Sequence, residues 1–186
     1  MSNPLVDATG VNPRRAACVP SLPGGVRHTA GTIHTFATLP DSGDDAVTVE
    51  TKMLILVVED EPICALSTVA ELELAGHRTL GPAATLEEGL ELARNGHPAL
   101  ALINIDLMRA GDGVELAKRL RELHVPAVFV SGQHPSAFEN RDLALGLIGK
   151  PYNPADLPPS IEVLAAVMEG KSFSAASLPR ALQLFH

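Results

Sequence analysis

MLILVVEDEP, residues 53–62, is the stretch on which the fold turns. Met53 to Val58 is an uninterrupted apolar run without alternation, the pattern of a short strand buried on both faces. Glu59 and Asp60 end the run abruptly. Pro62 then opens a helix in its first turn, where a missing N–H costs nothing.

The same strand-to-helix unit recurs downstream. The first helix carries Leu66, Val69, Ala70, Leu72 and Leu74 on its apolar side and stops near Gly76. HRTLGPA (77–83) is a weaker strand. Thr85, with Glu88 three residues on, forms a capping box for a helix that ends near Asn95-Gly96. ALALINI (99–105) is the third strand, and Asp112 is the expected cap of the helix GVELAKRLREL. PAVFVSG (126–132) and ALGLIG (144–149) complete the strands, with a short helix expected at about 135–143. Asn153 caps a last helix, ADLPPSIEVLAAVMEG.

Five strands alternating with five helices imply an α/β fold, a parallel sheet with helices on both faces. Sites in such sheets lie beyond the carboxyl ends of the strands. The polar residues that interrupt the apolar runs fall there: Glu59 and Asp60 after the first strand, Asn104 and Asp106 at the third, Ser131 at the fourth, Lys150 after the fifth.

Composition narrows the function. Hydrophobic residues make up 46% of the 186 residues and aromatics 3%, so the core must be aliphatic. The net charge of -8 argues against a non-specific nucleic-acid binder. No apolar run approaches the roughly 18–20 residues of a membrane span. Arg14-Arg15 precedes a stretch broken by Pro and Gly, a poor export signal. Cys18 and Cys64 have no metal spacing, and His77, His97, His124 and His134 show no ligand pattern. These features point to a reduced, cytoplasmic setting. Residues 1–52 are expected to be a flexible extension, 53–169 the domain, and 170–186 a short tail whose LPRALQLF stretch forms an amphipathic turn.

VVEDEP (57–62), INIDLMRAGDG (103–113), VFVSG (128–132) and GKPY (149–152), in that order and one per strand end, resemble the receiver domain of two-component response regulators. The resemblance implies a flavodoxin-like sheet of order 2-1-3-4-5. It implies phosphoryl transfer from a histidine kinase to an aspartate, assisted by Mg²⁺. Glu59 and Asp60 then match the metal-holding acids, Asp106 the position whose backbone carbonyl also binds the ion, and Ser131 and Lys150 the phosphate contacts.

Two positions depart from that pattern. The phosphoacceptor position falls on Asn104, and a neutral amide cannot form an acyl phosphate. It also lowers the negative charge of the site, so Mg²⁺ binding should be weak. Leu147 stands where many receivers carry an aromatic that turns inward on activation. The reading is therefore a stand-alone receiver-like protein that is not an enzyme. It acts through contacts with a histidine kinase or another signalling protein, not with nucleic acid or membrane, and a homodimer stays open. The alternatives are a phosphorylatable receiver, with Asp106 as acceptor or Asn104 a substitution engineered from Asp, and a small α/β phosphatase-like enzyme.

Overall fold

The computed structural model describes residues 52–132, 139–174 and 178–185. Residues 1–51, which hold Arg14, Arg15, Cys18 and nearly all of the expected extension, lie outside them, as does His134. The opening apolar run forms β1 (Leu54–Val58). The chain continues through α1 (Pro62–Leu74), β2 (Arg78–Ala83), α2 (Leu86–Gly96), β3 (Leu100–Asn104) and α3 (Asp112–Glu122). It then forms β4 (Ala127–Ser131), β5 (Gly146–Gly149), α4 (Leu157–Met168) and β6 (Leu182–Leu184).

The sheet order is β2-β1-β3-β4-β5-β6. The first five strands are parallel and in the expected order. Strand parity divides the core into two layers. Leu56, Val58, Ile103, Phe129 and Leu147 pack with Leu90, Leu116 and Leu120 from α2 and α3. Ile55, Val57, Leu102, Val128 and Ile148 pack with Leu72, Ile161 and Leu164 from α1 and α4. This is why the central runs show no alternation: both faces of β1, β3 and β4 are covered.

Three expectations are corrected. The sheet has six strands, not five, because Leu182–Leu184 pairs antiparallel with β5. The LPRALQLF stretch turns at Pro179–Leu182, where the Leu182 N–H donates to the Pro179 carbonyl at 3.0 Å, and continues as a strand beyond the expected turn. Its Leu-Gln-Leu alternation places both leucines on one face, and pairing covers an otherwise bare sheet edge. Second, α3 is capped by Gly111, at φ 92, and Asp112 is its first residue. The left-handed conformation at that cap suits glycine. Third, four α-helices are described where five were expected. The helix expected at 135–143 falls partly outside the described residues, and Arg141–Leu143 is a 3₁₀ turn.

Elsewhere the capping chemistry matches the sequence. Thr85 Oγ1 accepts from the Glu88 N–H at 3.2 Å, and Glu88 Oε2 accepts from the Ala84 N–H at 2.8 Å. Asn153 Oδ1 accepts from the Ala155 N–H at 3.1 Å. The 3₁₀ turn it caps, Pro154–Asp156, runs directly into α4. His77 is buried and its Nδ1 accepts from the Met53 N–H, while His97 and His124 take left-handed conformations just past α2 and α3.

Candidate functional site

The carboxyl ends of β1, β3, β4 and β5 bring the six singled-out residues together: the side chains of Lys150, Glu59, Asn104 and Asp60 form one hydrogen-bonded chain, and the Ser131–Asp106 pair joins it through the Asp106 backbone N–H. Parallel register sets this. Val58 pairs with Ile103, Asn104 with Val130, and Ser131 with Gly149, so all four strands end at the same level. Glu59 and Asp60 follow β1 directly, and Lys150 follows β5 directly.

Asn104 is the centre. Its side chain is buried, and its amide Nδ2 donates to Glu59 Oε1 at 2.8 Å and to Asp60 Oδ1 at 3.0 Å. Its Oδ1 accepts from the Asp106 N–H at 3.2 Å. The amide is thus used at both ends, its two N–H groups on two carboxylates and its oxygen on the backbone. No carboxylate could occupy that place in the same way, because it has no proton to donate.

Glu59 is saturated from the other side. Lys150 Nζ donates to its Oε2 at 2.6 Å, in a pair whose side chains are only 9% and 7% exposed. The Glu61 N–H adds a longer bond to Oε1 at 3.3 Å. Lys150 is held in reach by its own backbone, whose N–H donates to the Ser131 carbonyl at 2.7 Å. Ser131 Oγ donates to Asp106 Oδ2 at 3.2 Å. Every buried side-chain nitrogen and oxygen among the described residues has a partner.

Gly113, which sequence reading did not single out, makes this packing feasible. A Cβ there would lie 2.7 Å from the Asn104 carbonyl oxygen and 2.7 Å from Ile105 Cα. Only a residue without a side chain lets the start of α3 sit against the end of β3. The signal was present in the quoted run RAGDG, where a glycine inside a helix start is a cost that needs a packing reason.

The donor set has the right chemistry for Mg²⁺, which prefers oxygen ligands. As arranged it does not fit a resident ion. Both Glu59 oxygens and one Asp60 oxygen already accept protein hydrogens. Among the described residues no group of three or more acidic, histidine or cysteine side chains is placed to hold a metal ion. Leu147 is fully buried in the layer beneath α2 and α3, so no aromatic switch exists at that position.

Comparison with known proteins bears on the fold. Residues 55–162, more than half of the chain, match the response regulator receiver domain. The chain is 29% identical over 154 residues to the phyllosphere-induced regulator PhyR of Methylorubrum extorquens, covering 78% of this chain and 57% of that protein. It therefore spans little more than half the length of that relative. Among solved structures, a CheY-like receiver domain protein from Methanospirillum hungatei is 31% identical with a TM-score of 0.58, covering 64% of this chain and 98% of that one. The PhyR response regulator from Brucella abortus is 25% identical with a TM-score of 0.54, covering 65% of this chain and 51% of that one. The chain belongs to the response regulator receiver domain family, the regulators of two-component signalling.

Proposed function

We propose that Asn104 stands at the phosphoacceptor position and that this receiver signals through protein contacts without accepting a phosphoryl group. One observation carries the reading: the Asn104 amide bridges Glu59 and Asp60 as a double donor. In a phosphorylatable site that position must present a nucleophilic oxygen, and the neighbouring acids must be free for a cation. Here the amide and the Lys150 ammonium supply the positive ends that a cation otherwise supplies. Glu59, Asp60 and Asp106 become Mg²⁺ ligands only if the Lys150–Glu59 pair opens, so the metal binds weakly. Ser131 and Lys150, the phosphate contacts of the family pattern, are turned to Asp106 and Glu59 instead.

The chain is then not an enzyme. Its conformational equilibrium is set by what binds its surface, because no covalent group biases it. Its partners are a histidine kinase or another signalling protein of the cytoplasm, and its charge of -8 disfavours nucleic acid. Among the described residues no helix is long and apolar enough to cross a membrane. A second reading, with Asp106 as acceptor, draws on its only partly buried carboxylate beside Ser131.

Amide NMR spectra of the chain, with and without Mg²⁺ and acetyl phosphate, test the proposal. With Mg²⁺ present, adding acetyl phosphate is expected to leave the spectrum of the unaltered chain unchanged and to shift that of Asn104→Asp around β3, β4 and β5. A matching shift in the unaltered chain would contradict it.

A further inference from the structure

β5 is the last of the parallel strands, and its outer edge would be bare if the sheet ended there. Leu182–Leu184 closes that edge as an added strand. Gly146 pairs with Leu184, Leu147 with Gln183 and Ile148 with Leu182. The pairing is extended at both ends: the Gly149 N–H donates to the Ala181 carbonyl and the Phe185 N–H to the Leu145 carbonyl, each at 2.9 Å.

The edge has the features of a receptor for an extended peptide. Leu182 is buried and Leu184 half-buried in the layer beneath α1 and α4. Phe185 packs on the opposite layer, with the Arg141 guanidinium 5.6 Å from its ring centre. Gln183, between the leucines, is exposed. Gly146 admits the incoming backbone, since a Cβ there would overlap the Gln183 carbonyl oxygen. The edge adjoins the polar site. A cavity of about 630 Å³ is walled by Arg180, Ala181 and Gln183 on one side and by Gly132, Lys150 and Tyr152 on the other.

The strand that fills this edge is short. It is three residues long, with one of them buried. Short elements with few buried contacts open at low free-energy cost. Main-chain pairing gives affinity in strand addition, while alternate side-chain pockets give specificity. We propose that residues 178–185 are the built-in occupant of a strand-binding edge on β5, displaced by a partner protein's extended segment with the same apolar–polar–apolar–aromatic spacing. The tail's own sequence defines the ligand chemistry: an antiparallel strand with aliphatic residues two apart and an aromatic directly after. The inference does not depend on Asn104, because its test uses neither metal nor phosphodonor.

The test uses the full chain and a labelled synthetic peptide of residues 178–186. Two tail-releasing variants leave β5 untouched: the double variant Leu182→Asp/Phe185→Asp, and Gln183→Pro, since proline disrupts a paired strand. Both released variants are expected to bind the peptide. The unaltered chain should bind at least ~10-fold more weakly, because its tethered tail competes at an effective concentration in the millimolar range. A peptide with Asp at the positions of Leu182 and Leu184 should not bind. Absence of peptide binding in folded variants would overturn the proposal. So would loss of cooperative unfolding in both, which would make β6 integral to the fold. A dimer in light scattering that the peptide dissociates would replace the partner with a second copy of the chain.

Discussion

Asn104 differs from aspartate by one atom, and that atom reverses what the position does. As an amide it donates to two carboxylates and relieves their repulsion. As a carboxylate it would add a third negative group where two like charges about 4 Å apart repel by about 4 kcal/mol at an effective dielectric near 20. Asn104→Asp is therefore expected to lose about 1–4 kcal/mol of unfolding free energy without metal, on that Coulomb scale. Mg²⁺ should restore much of the loss, and should stabilise the unaltered chain far less. Urea unfolding with and without Mg²⁺ reads both. Lys150→Met leaves Glu59 buried without its cation, a change that typically costs about 3–5 kcal/mol. Adding Glu59→Gln should recover most of it, and a double-mutant cycle measures the coupling.

At this scale the members of the site were legible, because polar residues that end buried strands must gather at one rim of a parallel sheet. Their pairing was not. That Lys150 meets Glu59 and that Ser131 meets Asp106 depends on side-chain reach across strands far apart in sequence. No spacing rule encodes such contacts.

The elements hold the site through close approaches and caps. Gly113 lets α3 begin against the backbone of Asn104 and Ile105. Gly113→Ala should cost about 1–3 kcal/mol, as overpacked cores do. It should also displace Asn104, which shows as shifted amide resonances at Glu59 and Asp60. Thr85→Ala removes a cap far from the site and should cost about 1 kcal/mol without those shifts. Helices and central strands were legible because apolar period and uninterrupted runs are local signals. The start of α3 was misplaced by one residue, since Gly111 and Asp112 both suit a helix start and only the backbone angle chooses. β6 escaped because its three residues form a strand only by pairing with β5, a non-local contact.

At the scale of the molecule, an aliphatic core in two layers fixes the sheet, and the sheet fixes where the strands end. The fold is that of a receiver, and the rim is closed by its own side chains. Whether that rim accepts a phosphoryl group decides between the two readings. The direct measurement is the intact mass of the chain after incubation with Mg²⁺ and acetyl phosphate, beside Asn104→Asp. The unaltered chain is expected to keep its mass while the variant gains one phosphoryl group. A phosphoryl group on the unaltered chain, mapped to Asp106 or elsewhere on the rim, would contradict the proposed function.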